Sequence, residues 1–335
     1  MLTAFDKDLA PGARNAIRVC LNVQPHERVT VIADRECEDI AASLVHEIEA
    51  VGAPYKAFIL EDVAPRPLAD LPPAIAADME HSQVSILAVH VQPNELKSRM
   101  QLTAIVNRRR MRHGHMVNIN RQMMLEGMRA DFHKVDRLSQ KVIDIVRTAR
   151  EVRATTKGGS AFSASLRPDY KWIKTSGLIS PDKWGNLPGG EVFTTPGSVD
   201  GTLVIDGVVG DFLCEKFGSL QHSPLTLRVE NNRLVEAHSD NKELASDFWK
   251  YTHTDANSDR VGEFAIGTNI ELTQVIGHIL QDEKFPGIHI AFGDPYGVHT
   301  GADWTSTTHI DVVATRFDIW VDHHQIMADG KFLID

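Results

Sequence analysis

Apolar positions in the first 150 residues follow two alternating patterns along the chain. Short, continuously apolar runs at residues 28–33 (RVTVIA), 55–60 (YKAFIL) and 85–91 (SILAVHV) predict buried strands, and residues 117–119 are predicted to form the last strand of the same sheet. Between and around them, apolar residues at three-to-four spacing predict helices at residues 8–21, 39–51, 73–81 and 132–148. Gly52 follows one of these helices, at a position typical of a helix end. Strands separated by helices predict a mainly parallel sheet with helices on its faces.

The pattern changes after residue 150, where short β-rich segments divided by glycines and polar turns become dominant. Strands are predicted at residues 151–155, 161–166, 202–209, 225–230, 233–237 and 260–266, from 289 onward, and in a closing set within 310–334. Helices are predicted at 242–251 and 269–280, and Asn231-Asn232 is predicted to be a tight hairpin turn. We therefore expect two domains. They are an α/β N-terminal domain at residues 1–150 and a β-rich α+β C-terminal metal-binding domain at residues 151–335.

Composition and charge narrow the class of protein. The chain has 335 residues, of which 42% are hydrophobic and 24% are charged, and its formal net charge of −10 argues against a general nucleic-acid binder. Cys20, Cys37 and Cys214 are scattered and odd in number, so neither a disulfide framework nor a thiolate metal site is indicated. With no secretory pattern at the N-terminus and no apolar stretch of membrane-spanning length, a cytoplasmic protein without a membrane partner is expected.

One basic run stands out in this acidic chain, at residues 108–115 (RRRMRHGH). Because the run is short, a solvated or inter-subunit face is one interpretation, and a contact with an anionic ligand is another. No glycine-rich GxGxxG follows the first predicted strand, so the sequence gives little support to a dinucleotide site in this half.

The stretch from Glu283 to Asp311 concentrates the residues that could carry chemistry. In residues 288–292 the apolar residues alternate with His289 and Ala291, the period of a strand with one buried face. A turn-forming cluster at residues 293–297 then places Tyr296 on a loop just past the strand. Two further side chains, of His309 and Asp311, are two residues apart and point to the same face of an extended chain.

These groups are nitrogen and oxygen donors without a cysteine, a set that suits Zn, Mn, Co or Fe(II). Two further carboxylates invite comparison, since a dinuclear site needs more anionic ligands than one loop supplies. Glu191 follows a Pro-Gly-Gly turn, and Glu263 has apolar neighbours on both sides. A carboxylate in such a strand is costly unless it is paired or binds a cation, although either side chain could instead face solvent.

Five phrases, in the order NLPGGEVFTTP, GEFAIGTN, ILQDEK, HIAFGDPY and THID, resemble the M29 family of metalloaminopeptidases, the aminopeptidase T type. The resemblance covers most of the second half, from about Arg150, and is weak over the first half. It implies a pair of divalent ions, Zn, Co or Mn, surrounded by six residues of this sequence: Glu191, Glu263, His289, Tyr296, His309 and Asp311. Glu283 matches a family glutamate close to the metals and is our candidate general base, and Tyr296 is a candidate metal ligand or oxyanion donor.

This chain differs from typical family members in two ways, and one branch of the family resembles enzymes that catalyse another reaction. The chain is shorter than typical members, and residues 301–306 replace a longer loop. The branch resembles ring-cleaving dihydroxypyridine dioxygenases with a single Fe(II), two histidines and a carboxylate. That branch has a histidine where Glu263 stands and lacks the glutamate matching Glu191, so the two glutamates here favour two metals. The leading expectation is therefore an amide hydrolase acting on a small-molecule or peptide substrate, and the resemblance also implies a homodimer.

Overall fold

The computed structural model describes residues 5–210 and 212–334, and the chain divides into two compact units. The first unit contains the residues up to 133 together with 177–189, and the second contains 134–176 and the residues from 190 onward. The sequence suggests a single boundary after residue 150. In the structure, residues 134–150 belong to the second unit, and residues 177–189 belong to the first.

The first unit is built on a five-stranded sheet in which every neighbouring pair is parallel. From one edge to the other its strands are Tyr55–Ile59, Val29–Ala33, Val84–Val89, Arg112–Val117 and Gly185–Asn186. The residues of Val29–Ala33 and Val84–Val89 are buried throughout, which explains why these strands are continuously apolar rather than alternating. The predicted α/β architecture is confirmed.

Helical segments surround this sheet in the sequence order expected of an α/β unit. They are Lys7–Leu9, Ala10–Arg14, Asn15–Cys20, Glu38–Val51, Leu60–Val63, Pro73–Met79, Leu96–Arg109, Arg121–Leu125 and Gly127–Arg129. Gly52 ends its helix with a φ of 82°, as predicted. The sequence missed the helix Leu96–Arg109, and the strand predicted at residues 117–119 lies earlier, at Arg112–Val117.

The basic run is divided between the end of that helix and that strand. Three of its four arginines pair with acidic side chains: Arg108 with Glu80, Arg110 with Asp182 and Arg112 with Glu27. His113 points inward and is fully buried, with Nδ1 2.8 Å from Oγ of Ser85. The run therefore does not form a continuous basic face.

The second unit contains two antiparallel sheets. The eight-stranded sheet has the order Arg233–His238, Leu225–Glu230, Ser198–Ile205, Ala161–Ser165, Glu151–Thr156, Phe317–Val321, His324–Ala328 and Lys331–Phe332. The six-stranded sheet has the order Val208–Val209, His309–Val313, Gly287–Gly293, Val261–Gly267, Glu191–Thr194 and Ile173–Thr175. The predicted hairpin at Asn231-Asn232 is confirmed, because both residues have positive φ and join two antiparallel strands.

The helix Phe132–Val146 belongs to the second unit from residue 134 onward. The other helices of this unit are Phe212–Phe217, Lys242–Tyr251, Ile279–Asp282 and Gly297–Thr300. The helix predicted at residues 269–280 is wrong, because this segment is irregular until Ile279. The carboxylate of Asp282 accepts hydrogen bonds from the backbone N–H groups of Ile276, Gly277 and His278. These bonds hold the segment in a loop.

Apolar side chains from both sheets of the second unit form one continuous core. Ile290 and Phe292 of the strand Gly287–Gly293 belong to it, as do Phe264 and Val312 of the adjacent strands. One face of these strands is thereby committed to the core, and the alternate residues are left to form the other face. Among the described residues, no helix is both long and apolar enough to cross a membrane.

Candidate metal centre

Strand register brings two carboxylates together on the face opposite the core. Ala291 is paired with Glu263 on one neighbouring strand and with Asp311 on the other. Directly paired residues of antiparallel strands project from the same face, so the three side chains lie in one row. Because the central member of the row is an alanine, space remains between the two carboxylates.

The two histidines lie on the same face, each two residues from the row. His289 precedes Ala291 on the strand Gly287–Gly293, called the central strand below. His309 precedes Asp311 on the neighbouring strand, where it is paired with Gly293. Gly293 has a φ of 108°, and a Cβ built there would lie 2.1 Å from the backbone oxygen of Thr308. A residue with a side chain does not fit this position without a shift of the strand that carries His309.

Glu191 reaches the same cluster from the start of its own strand, where it is paired with Gly267. Its Oε1 atom accepts hydrogen bonds from the hydroxyl of Thr175 at 2.8 Å and from the ammonium of Lys284 at 2.7 Å. Its Oε2 atom lies 3.4 Å from Nε2 of His289. The two oxygens of this carboxylate therefore have different roles, one held by protein donors and one facing the cluster.

The nitrogen and oxygen atoms that could bind a metal lie close together, at distances longer than those of good hydrogen bonds. Nε2 of His289 lies 3.6 Å from Oε1 of Glu263, and Nε2 of His309 lies 3.7 Å from Oε2 of Glu263 and 3.5 Å from Oδ2 of Asp311. Although His289 is 2% exposed, its Nε2 has no hydrogen-bond partner among the residues that the structure describes. A buried nitrogen left in this state is costly, and coordination of a cation would satisfy it.

Ligand atoms fall into two overlapping groups of three. In one group the atoms of Glu191, Glu263 and His289 all lie within 4.8 Å of one another, and in the other those of Glu283, His289 and Asp311 do. His289 belongs to both groups. Carboxylate and imidazole donors in this arrangement fit divalent ions such as Zn, Mn, Co or Fe(II).

Glu283 and Lys284 enter the cluster from the turn before the central strand. Lys284 is 1% exposed, and its ammonium contacts Oε1 of Glu283 as well as Oε1 of Glu191. Its backbone carbonyl accepts a hydrogen bond from the N–H of Asn269 at 3.0 Å. Sequence reasoning missed Lys284, although it is adjacent to Glu283 in the ILQDEK phrase, because a lysine is normally exposed.

Tyr296 lies on the loop past the central strand, as expected. Its ring is 4.5 Å from the imidazole of His309 and 6.2 Å from the ring of Phe193, and the residue is 42% exposed. Its φ of 50° is uncommon for a residue other than glycine. The structure thus brings Tyr296 to the exposed edge of the cluster.

The electrostatics of the cluster are those of a cation-binding site. Burial by itself would lower the pKa of His289, but Glu191 and Glu263 outweigh it and raise that pKa to about 10. Burial likewise opposes the charged form of His309, and Asp311 and Glu263 raise its pKa to about 10. Burial is also the main cause that raises the pKa of Glu283 to about 8. Such concentrated negative charge attracts positive charge strongly.

Comparison with known proteins agrees with the geometry. The family model described as thermophilic metalloprotease (M29) matches residues 119–324, more than half of the chain. No curated protein matches it. The fold is similar to wild-type AmpT from Thermus thermophilus, with a TM-score of 0.74, 16% identity, and coverage of 99% of this chain and 100% of that one. It is also similar to 2,5-dihydroxypyridine dioxygenase from Pseudomonas putida KT2440, with a TM-score of 0.69, 16% identity, and coverage of 98% and 97%.

Proposed function

The chain belongs to the M29 family of metalloproteases, and from that premise we propose that it hydrolyses an amide bond as an aminopeptidase-type enzyme that uses two divalent metal ions. The resemblance of the five sequence phrases to this family is confirmed by the family match, and with it the expectation of a hydrolytic enzyme. The observation that carries the finer proposal is the buried pair of ligand groups that share His289. One imidazole nitrogen binds a single ion, but together with His309 these groups offer four carboxylates and two imidazoles, a set large enough for two ions.

The residues present fit such ions. We propose that Glu191, Glu263, His289, His309, Asp311 and Tyr296 hold them. Support comes from the unsatisfied Nε2 of His289 and from the hydrogen bond between Nδ1 of His309 and the carbonyl oxygen of Asp294, which leaves Nε2 of that ring as the donor atom. When bound, Zn, Co or Mn ions would lower the pKa of water and polarise the carbonyl group of the substrate.

The protein's own groups would position the substrate and move the proton. We assign Glu283 as the general base, because its carboxylate lies with His289 and Asp311 in one ligand group while Lys284 engages its Oε1. Its other oxygen would take the proton of the attacking water and deliver it to the departing amine nitrogen. Tyr296, at the exposed edge, would donate a hydrogen bond to the oxygen that becomes negatively charged.

A second candidate is a ring-cleaving dioxygenase with one Fe(II), held by His289, His309 and Asp311. It draws on the similarity of fold to the dihydroxypyridine enzyme. The carboxylates favour the hydrolase instead. Glu263 lies within 3.6 to 3.7 Å of both histidines and Glu191 within 3.4 Å of His289, so three formal negative charges would surround a single iron. That excess would disfavour an anionic ring and suits two divalent ions better.

Metal content and oxygen dependence distinguish the two. Protein purified without added metal would be assayed for metal by elemental analysis. Turnover would be followed anaerobically on aminoacyl amides and aryl amides. Two ions of Zn, Mn or Co per chain at full loading, with turnover in the absence of oxygen, would support the hydrolase. One iron per chain, with turnover that begins only when air is admitted, would replace it with the dioxygenase.

We further propose that the protein works as a cytoplasmic homodimer on a small-molecule or peptide substrate, without a nucleic-acid or membrane partner. The net charge of −10 supports the exclusion of nucleic acid, because phosphate binding requires clustered positive charge. Pairing of Arg108, Arg110 and Arg112 with acids also supports it, because little unpaired positive charge is left in the most basic run of the chain.

A further inference from the structure

The proposed metal ligands enclose a cation that belongs to the protein. Lys284 is as buried as the core side chains around it, and its ammonium lies between two of the carboxylates of the centre. Burying a lysine is expensive, and the cost is met only when the charge is closely paired. Lys284 is paired twice, with a carboxylate oxygen of Glu191 at 2.7 Å and with one of Glu283.

The ammonium of Lys284 contacts one oxygen on each of two carboxylates. On both Glu191 and Glu283 the ammonium engages Oε1. On Glu191, that oxygen also accepts from the hydroxyl of Thr175. A carboxylate oxygen with two strong protein donors is a poor metal ligand, so Glu191 is left with Oε2, which faces His289 at 3.4 Å. Lys284 therefore restricts Glu191 to one ligand oxygen.

The other half of the centre is free of this competition. Glu263 and Asp311 are within 3.7 and 3.5 Å of Nε2 of His309, and no contact between Lys284 and either carboxylate is present in the described part of the chain. An ion held by these three residues would keep both carboxylates fully available. An ion held through Oε2 of Glu191 and Nε2 of His289 would share a carboxylate with an ammonium and be repelled by it.

We propose that Lys284 is a positioning residue that makes the two metal positions unequal. The position at Glu263, His309 and Asp311 binds its ion tightly, and the position at Glu191 and His289 binds its ion at least about tenfold more weakly, because a fixed positive charge stands beside it. This inference rests on the proposed two-metal function. It adds that the second ion is exchangeable and that a single side chain determines this.

Titration of metal-free protein with Co²⁺ tests the inference, with calorimetry for affinity and visible absorption for the number of ions bound. Wild-type protein should bind two ions in separate steps, the second at least about tenfold weaker. Lys284→Met keeps most of the side-chain volume and removes the charge, so the second step should tighten toward the first. Lys284→Arg should keep the two steps apart. Lys157→Met, an exposed lysine paired with Asp329, is the matched control and should titrate like wild type.

Three results would overturn it. Two equal steps in the wild-type protein would remove the inequality while leaving the two-metal function intact. A folded Lys284→Met variant, with a circular dichroism melt like that of wild type, that binds the second ion no more tightly would mean that Lys284 merely neutralises buried carboxylates. A wild-type protein that binds no divalent ion would remove the proposed function together with the inference. If Lys284→Met does not fold, Lys284→Gln, which removes the charge and keeps a hydrogen-bond donor for the two carboxylates, decides in its place by the same criterion.

Discussion

The Nδ1–H of His309 donates a hydrogen bond to the carbonyl oxygen of Asp294, at 2.9 Å. Asp294 belongs to the turn that follows the central strand, and its backbone N–H in turn donates to the carbonyl oxygen of Thr308 at 2.7 Å. The imidazole is thus oriented by the backbone, with Nε2 turned toward Glu263 and Asp311. A ligand oriented in this way loses little entropy when it binds a metal ion.

Glu263→Gln should weaken metal binding by about 10- to 100-fold, because it removes the charge that approaches both histidines. The fold should remain intact, because the substitution keeps the shape of the side chain. Calorimetric titration of the metal-free variant measures this. Glu271→Gln, an exposed glutamate that pairs with Lys134, serves as the control. Unchanged affinity in Glu263→Gln would remove Glu263 from the ligands.

Glu283→Gln should retain the metal and lose turnover. The amide preserves volume and hydrogen bonding but cannot accept the proton of water, so kcat should fall by roughly 10²- to 10⁴-fold. Metal content and steady-state rates on aminoacyl amides would be measured together. Glu236→Gln, at an exposed strand position, is the control. Full activity with full metal content would place the base elsewhere.

Gly293→Ala should cost more stability than Gly52→Ala, although both glycines have positive φ. At Gly52 an added Cβ meets nothing within 4 Å, so the cost is that of the backbone alone, about 1 kcal/mol. At Gly293 the added Cβ lies 2.1 Å from the backbone oxygen of Thr308, so the strand bearing His309 must also move. Urea unfolding and Co²⁺ titration should show a larger loss of stability and weaker metal binding for Gly293→Ala. Equal costs would contradict this.

The contribution of two buried histidines, His113 and His115, to the free energy of unfolding should fall as pH decreases from 6.5 to about 4. Nε2 of His113 lies 3.1 Å from Nδ1 of His115, and burial, with Arg99 adding to it, lowers the pKa of His115 to about 4. Burial, with His115 adding to it, also lowers the pKa of His113. The unfolded chain binds these protons first, so the contribution of the pair is complete above pH 6.5 and declines by roughly 1.4 kcal/mol per pH unit for each histidine.

Urea unfolding across this pH range measures the slope. His115→Gln keeps a hydrogen-bonding side chain and removes one titrating group, so its slope should be shallower than that of wild type by about one proton. His81→Gln, which replaces an exposed histidine, is the control. Identical slopes for wild type and His115→Gln would refute the assignment.

A homodimer is expected in solution. Multi-angle light scattering at low micromolar concentration should give about twice the chain mass of 37.2 kDa. The physical reason is that edge strands of a β-rich unit are stabilised when a second copy covers them. A mass near 37.2 kDa at that concentration would count against the proposal.

The sequence by itself determined the elements whose identity depends on local patterns. The buried strands of the first sheet follow from continuous apolar runs, and the end of a helix at Gly52 follows from the conformational freedom of glycine. The hairpin at Asn231-Asn232 follows from the tolerance of asparagine for positive φ. In the strand Gly287–Gly293, alternation separated His289 from the core face, and structure agrees with that separation.

Elements with a weak or contested pattern required the tertiary structure. In the helix Leu96–Arg109 the buried apolar residues are confined to Leu102, Ile105 and Val106, while Leu96 and Met100 are exposed, so the helical period is short. Residues 269–280 have helical spacing, yet hydrogen bonds from three backbone N–H groups to Asp282 hold a loop there. The helix predicted for that segment failed because a side chain several residues away satisfies its backbone better.

At the candidate metal centre, too, local sequence patterns determined some features and contacts between distant segments determined the others. Residue types and order in the sequence singled out the glutamates, histidines, tyrosine and aspartate, because the family phrases preserve them. Their convergence depends on strand register, which pairs Ala291 with Glu263 on one side and Asp311 on the other and is set by contacts between distant segments. Burial of Lys284 against Glu191, 93 residues away, was decided only by the tertiary structure, since a lysine's pattern in sequence predicts exposure.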